Sequence, residues 1–419
     1  MLNAENELKK WAPVLEHTDE APITDSYKKA VTAKLLENTE VALKEQAAHS
    51  SYGTLNETNQ NTSAVSNFDP VLISLVRRAM PNLIAYDVAG VQPMSGPSGL
   101  VFSMKARFGD GTAIATGDAE AFGINEPDTA FSGAGTQVGG AFDSPDITSG
   151  TGIATGTAET ATSFPEMGFT IEKSTVTAQT RQLKAEYTME LAQDLKAVHG
   201  LDAESELANI LSGEILAEIN REVIREIVIN SKLAATSITG NSAVGTFDLA
   251  ADADGRWAVE RFQSLVFVLD KLSNVIAKET RRGKGNFVIC SSNVASALAA
   301  TGNIQFGGAD LKVDNMGNTF AGTLNGGLKV YVDPYATTDY ATVGYKGTNA
   351  FDAGLFYCPY VPLTMVRAVG ESTFQPKIAF KTRYGLVANP LIDVFNSPGE
   401  KTNNPYYQSI SNIANIGVK

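Results

Sequence analysis

The residue types best suited to metal ligation, proton transfer or nucleophilic attack are sparse and poorly spaced in this chain of 419 residues. The three histidines, His17, His49 and His199, have no partner at i+4 and no cysteine beside them, so no zinc signature forms. They read as exposed histidines in a tail, an arm and a helix end. Cys290 and Cys358 each sit in an apolar run, which fits two reduced core thiols and synthesis in a reducing compartment. Asp248, Asp252, Asp254 and Gly255 suggest a calcium loop, yet such a loop needs an oxygen ligand where Ala250 stands and a glutamate where Arg261 stands. A polar turn before a helix is expected instead. Gly150, Gly152 and Gly156 have the wrong spacing for a dinucleotide fingerprint, and no Gly-Lys-Ser/Thr phosphate loop occurs. The basic run Arg281-Arg-Gly-Lys-Gly suits a dipole-favoured helix end better than a phosphate site. No catalytic, cofactor-binding or metal-ligating residue is assigned, and the chain is expected not to be an enzyme.

Composition bounds the elements that could position a site. With 43% apolar residues the chain can bury a sizeable core, while 33 basic against 46 acidic residues give a net charge of −13. A protein so charged could enclose nucleic acid without gripping it. The first residues lack the basic start and apolar run of a secretion signal, and no stretch of about 18 apolar residues occurs, so neither secretion nor a membrane span is expected.

Along the chain, residues 1–45 hold six lysines and nine acids, net −3, with a short stripe of Tyr27, Ala30, Val31 and Leu35 after a candidate cap at Asp25. This predicts a polar helical segment with little core to offer. Residues 46–67 are small and polar, the composition of an arm. Asp69-Pro70 opens a short helix that stops before Pro81. Leu100 to Phe108 alternates, with Leu100, Phe102, Met104, Ala106 and Phe108 on one face and Ser103, Lys105 and Arg107 on the other, which predicts a half-buried strand. Residues 133–163 carry seven glycines, seven threonines, three acids and no base, the composition of an extended loop. A helix is predicted over Met189–Val198, with Gly200 as its stop and Asp202 as the next cap. From Leu207 through Ile210, Leu211, Ile215, Ile219, Val223 and Ile227 the spacing is three or four, a spine of roughly 40 Å at 1.5 Å per residue. A second strong helix runs through Phe262, Leu265, Leu269, Leu272 and Ile276 to an end near Gly283. Short strands at 286–291, 328–333, 341–345, 354–360 and 378–386 make the class α+β.

Several motifs resemble the T-even-type major capsid proteins of tailed bacteriophages: Val76-Arg-Arg-Ala-Met-Pro-Asn-Leu-Ile-Ala-Tyr-Asp87, Gly90-Val-Gln-Pro-Met94, Glu120-Ala-Phe, Glu166-Met-Gly-Phe, Arg181-Gln-Leu-Lys-Ala, Glu218-Ile-Asn-Arg-Glu-Val and Lys381-Thr-Arg-Tyr-Gly. The matches keep their order across most of residues 70–390. The resemblance implies a Hong Kong 97-type capsid fold. It divides the chain into a propeptide at 1–45, an N-terminal arm and short helix at 46–85, and an extended loop at 86–174. A peripheral domain with the spine follows at 175–244, then an axial domain at 245–365, and return strands to the peripheral domain with a C-terminal tail at 366–419. Between Phe131 and Glu166 the chain is shorter than in family members that carry an insertion domain, and no residue matches the lysine or asparagine of the founding fold's cross-link, so a non-covalent shell is expected.

The family likeness also implies function and partners. The chain would form homo-hexamers and neighbouring capsomers of the head shell around double-stranded DNA, the related pentamer-forming vertex protein being the alternative. Partners would include that vertex protein, the portal, an internal scaffold, a head maturation protease and outer decoration proteins, in a virion made in the host bacterial cytoplasm, with no membrane and no cofactor. The family's processing sites resemble an aliphatic residue, any residue, then glutamate, and Leu35-Leu-Glu37, Leu43-Lys-Glu45 and Leu55-Asn-Glu57 all fit. The bond between Glu45 and Gln46 is chosen, where a polar helical tail meets an arm of small residues.

Overall fold

The structure, a computed structural model, describes residues 2–16, 23, 25–50, 83–109, 120–121, 127–138, 148–161, 164–253, 255, 257–305, 319–324, 327–349, 351–369, 375–389 and 404–416. The short helix expected after Asp69-Pro70 lies outside them. The chain opens with helices α1 (Leu2–Leu15) and α2 (Ser26–Ser50), and the Asp25 carboxylate accepts the Tyr27 amide at 2.9 Å at the start of α2, as a cap should. Next come α3 (Ala85–Val88), β1 (Gly90–Val91), β2 (Ser98–Phe108), β3 (Glu120–Ala121), α4 (Thr155–Glu159), β4 (Met167–Thr177) and β5 (Gln179–Glu186). Helix α5 (Met189–His199) ends at Gly200, whose φ of 68° is the left-handed stop that glycine supplies without strain.

The spine is α6 (Ala203–Asn230), a helix of 28 residues. Its buried face carries Leu211, Ile215, Ile219, Val223 and Ile227 at intervals of four, but Ile210 falls off that stripe and is 65% exposed. The chain continues through β6 (Ser231–Leu233), α7 (Thr236–Thr239), β7 (Thr246–Asp248) and α8 (Ala258–Thr280). Helix α8 stops at Arg281, itself left-handed at φ 53°, two residues before the expected glycine. After it come β8 (Phe287–Ser291), α9 (Ser292–Ala300), β9 (Ile304–Gln305), β10 (Thr319–Leu324), β11 (Leu328–Asp333), β12 (Ala341–Gly344), β13 (Leu355–Val369), β14 (Pro376–Ala388), β15 (Asn404–Ile410) and β16 (Asn412–Ala414).

Two cores form. One sheet, in the order β1-β13-β14-β5, lies with the spine; Ile215, Ile219 and Val223 share a core with Tyr357, Ile378, Phe380 and Tyr384. A second sheet, in the order β6-β15-β12-β8-β11-β10-β9, packs on α8 and α9 through Leu265, Leu269, Leu272, Val288, Val294 and Val330. The strands β15 and β16 come from the stretch expected to return to the peripheral domain. From the same stretch β14 pairs with β5, while β15 joins this second sheet and β16 pairs with β7. The hairpin of β2 and β4, with β3 on its edge, stands apart from both sheets, anchored at its base by Val101 and Val176 against Phe356 and Cys358.

The N-terminal segment corrects the sequence reading. Far from having little core to offer, it seats Trp11, Leu15, Val31, Leu35 and Leu36 in the same core as the spine. The stripe looks thin in sequence because Trp11 and Leu15 lie on a second helix, and the two helices reach the body as a pair joined by Lys10–Glu37 at 2.8 Å and Lys34–Glu7 at 2.7 Å.

Candidate assembly surface

Strands β2 and β4 pair antiparallel over their whole lengths, placing Met104 opposite Ile171, Ala106 opposite Phe169, Lys105 opposite Thr170 and Ser103 opposite Glu172. Directly opposed residues share a face. The ribbon's two faces are inverted relative to the usual rule. Phe102, Met104, Phe169 and Ile171 are 60 to 65% exposed, flanked by Leu100 and Met167, while Lys105 and Arg107 are 1% exposed.

Such burial requires a counter-charge. Glu172 supplies it with both oxygens: Oε2 lies 2.8 Å from the Lys105 ammonium and Oε1 2.7 Å from the Arg107 guanidinium, whose Nε also donates to Thr170 Oγ1 at 2.9 Å. Alternation in the sequence established the strand and its two faces, but which face would be buried depended on Glu172, 65 positions from Arg107 in sequence. The result is a ribbon braced across its strands by Glu172 that presents an apolar stripe to solvent.

A second unpartnered apolar surface lies at α5 and the start of the spine. Helix α5 has no buried residue, and Met189, Leu191, Val198, Leu201 and Ile210 are all exposed. The polar flank of the spine, by contrast, is locked. Arg181 bridges Glu222 at 2.7 Å and Glu218 at 3.1 Å. Burial opposes its charge, but hydrogen bonds to Glu222 and Tyr384 more than offset that and hold the guanidinium charged. Arg221 pairs with Asp333, which also accepts the Tyr340 hydroxyl at 2.7 Å; burial first, and that hydrogen bond second, push the Tyr340 phenol up.

Residues 127–138 and 148–161 are joined by isolated bridges Ala134↔Thr151 and Val138↔Thr148, and the Phe131 ring packs on Phe108 of β2 with centroids 4.3 Å apart. Residues 151–161 are exposed throughout, as a segment too poor in apolar residues to build a core must be. Close backbone approach explains two of the glycines in this region: a Cβ at Gly133 would meet Thr151 O at 2.3 Å, and one at Gly150 would meet Ala130 N at 2.4 Å.

The residues weighed for chemistry do not converge. His199 ends α5 in solvent, His49 lies in α2, and His17 is outside the described residues. Cys290 and Cys358 are buried free thiols, each pushed up to about 12 by burial. Asp252 accepts the Asp248 amide and the Asn241 side chain, both at 2.8 Å, as a polar turn does. Lys284 bridges Asp270 at 2.5 Å and Arg282 bridges Asp352 at 3.3 Å, so the basic run is a paired helix end. Among the described residues no group of three or more His, Cys, Asp or Glu could hold a metal, and no helix is long and apolar enough to cross a membrane. Glu45 and Gln46 lie inside α2, which runs on to Ser50, where a polar tail had been expected to end.

The family model described as major capsid protein Gp23 matches residues 65–411. The chain is 42% identical over 409 residues to the major capsid protein of Salmonella phage ViI, covering 92% of this chain and 90% of the relative. It is 37% identical over 479 residues to that of Enterobacteria phage T4, covering 92% of each. The capsid vertex protein of phage T4 matches more weakly, at 31% identity over 235 residues and 53% of each chain. Among solved structures, the capsid of Myoviridae phage XM1 is 10% identical, covering 79% of this chain and 92% of that one, with a TM-score of 0.39. The α+β expectation holds in the elements themselves, and the T-even-type resemblance holds in the family match. The chain belongs to the Gp23 family, the major capsid proteins of tailed phages.

Proposed function

We propose that this chain is the hexamer-forming subunit of an icosahedral head shell enclosing double-stranded DNA, and that it works by shape and contact without catalysis. The outward apolar stripe of the β2–β4 ribbon carries the proposal. A lone chain leaves Phe102, Met104, Phe169 and Ile171 in water, and a neighbouring copy would cover them. The exposed face of α5 and the spine's first turns is the natural receiver, since a contact between two different surfaces of one chain generates a ring when its rotation closes. In this division the arm spans 46–85, the extended loop 86–174, the peripheral domain 175–244 and the axial domain 245–365, with the shell held non-covalently. The hexamer former is favoured over the vertex protein because its relatives match nearly end to end, whereas the vertex protein matches over about half.

The further partners are the vertex protein, portal, scaffold, head protease and outer decoration proteins, with synthesis in the host cytoplasm. Processing between Glu45 and Gln46 would remove net −3 and leave −10 of the −13 per subunit before DNA enters. Because that bond lies within α2, the protease must first unwind the helix end.

The test is the double variant Phe102→Ser with Phe169→Ser, viewed by electron microscopy beside wild type. Wild type should form shells, tubes or sheets, and the variant should remain a folded, unassembled subunit. Normal shells from the variant would refute the role of the stripe. In purified particles the chain should be the dominant band; a minor band would favour the vertex reading.

A further inference from the structure

The N-terminal helix pair is bound to the body as a ligand is bound to a site. Helix α2 lies along β13, with Val31, Leu35 and Leu36 each no more than 3% exposed and packed in the core of the spine. The contact is also specific. Asn38 is buried, and its Nδ2 donates to Met94 O at 2.8 Å and to Tyr360 O at 2.9 Å, two carbonyls at the seam where β1 and the chain beyond it run beside β13. The Tyr27 hydroxyl donates to Val91 O on the same seam. Helix α1 adds Trp11 and Leu15 to the core, while its charges go to α2: Lys10 to Glu37 and Glu40, Lys34 to Glu7. The pair is thus held together by its own ion pairs and held to the body by an apolar face, the Asn38 amide and the Tyr27 hydroxyl.

We infer that residues 2–42 are an exchangeable plug, and that their seat on the β1–β13 seam is a binding site for an amphipathic helix pair that outlives the covalent link. The inference builds on the processing proposed above in one respect: a cut after Glu45 would unlock the plug without ejecting it. The core residues Val31, Leu35 and Leu36 and the hydrogen bonds of Tyr27 and Asn38 all lie upstream of that bond. Cutting removes the tether and leaves the buried face and both Asn38 hydrogen bonds in place. Ejection then needs a second event at the seam, such as a shift of β1 relative to β13, since both carbonyls must let go of the same amide. Maturation would have two separable steps, cleavage and release, where an inward-projecting tail would have one.

The test places a recognition site for a sequence-specific protease between Ser50 and Ser51 of the full chain, so its outcome does not depend on natural processing. After cutting, the protein is passed over a size-exclusion column at micromolar concentration and each fraction is read by mass spectrometry. The peptide ending at Ser50 should co-elute with the rest of the chain. The same experiment with Asn38→Ala, a change small enough to fold, removes both Asn38 hydrogen bonds to the seam and should weaken retention by roughly tenfold or more, seen as loss of the peptide on dilution. Separation of the wild-type peptide at micromolar concentration, whether or not the body stays soluble, would overturn the inference. Equal retention of the Asn38→Ala peptide would overturn the seat assigned to it. Chains in phage particles that begin at Met1 would sink the processing proposal and leave this one standing.

Discussion

Glu172→Gln should release the β2–β4 ribbon while leaving the two cores intact. The substitution keeps the shape of the side chain and removes its charge. In the native ribbon each Glu172 oxygen serves one cation, at 2.8 and 2.7 Å, and the two cationic side chains are 0% and 1% exposed. A glutamine can offer one oxygen to one of them and must turn its NH2 group toward the other. Removing one partner of a buried ion pair costs about 3–5 kcal/mol, because the remaining charge stays desolvated. The ribbon is only two long strands with a short edge strand, marginal by itself, so that loss should appear as local opening. Hydrogen exchange of the amides in 98–108 and 167–177 should accelerate by between about a hundredfold and a few thousandfold, at roughly tenfold per 1.4 kcal/mol. Trypsin should begin to cut after Lys105 and Arg107. The main thermal transition should move little, since the cores of the two sheets contain neither cation. Unchanged exchange in the ribbon would refute the claim that Glu172 holds the inverted face closed.

Ile215→Asp puts a carboxylate on a spine position that is 1% exposed, at a cost of several kcal/mol, and should yield no folded subunit by urea titration; a soluble, assembling Ile215→Asp protein would show the wrong face had been identified. Burial holds the Lys346 ammonium down at about 8, with Lys28 and Lys329 adding to the shift and Asp87 and Asp25 opposing it. Its unfolded value is higher, so the unfolded chain binds the extra proton between the two and stability should rise as pH climbs from about 8 toward 10, by up to about 3 kcal/mol. Above 10 the tyrosines held protonated by burial, Tyr331 and Tyr86 among them, reverse the trend. Lys346→Met should flatten the rise in chemical melts, and a slope equal to wild type would assign it elsewhere. Residues 148–161 should be among the first cut by limited proteolysis of the free subunit and protected in shells; equal protection in both would show that the loop orders itself.

The spine, the long second helix and most strands were legible because each is a periodic pattern satisfied within one chain. Ile215, Ile219 and Val223 meet the sheet of β13 and β14 as their spacing requires. The ribbon was legible as a strand and misleading as a surface: alternation separates Phe102 and Met104 from Lys105 and Arg107 but carries no sign, and the sign was set by Glu172. The N-terminal helices misled for the opposite reason. A helix with seven charged residues over Ser26–Ser50 and few large apolar ones looks like a solvated tail. It buries Thr32, Asn38 and Thr39 alongside Leu35 and Leu36; the two threonines donate to carbonyls four residues back in the same helix, but Asn38 depends on the Met94 and Tyr360 carbonyls, which no local pattern announces. The processing site is the hardest case, because a short aliphatic-x-Glu pattern is read by a protease in whatever conformation it can capture, and Glu45 lies in a helix.

The inverted ribbon also bears on why a chain with net charge −13 could associate strongly with copies of itself. Mutual repulsion between subunits favours the free state and is screened by salt, whereas burial of the stripe is not. The larger obstacle for a two-stranded ribbon is usually entropy, since a flexible tongue must be ordered as it docks. Here that ordering precedes association. Glu172 fixes the relation of the strands through its two ion pairs. Val176 packs so closely on the body that a Cβ at Gly385 would lie 2.4 Å from its side chain, and Ala178 N donates to Pro97 O at 2.8 Å across the base. The base is fixed and the shaft is cross-braced, so the stripe meets a neighbour already shaped. On the proposed contact, charged residues hidden inside the ribbon would serve assembly by bracing it, while the apolar residues facing out would supply the attraction.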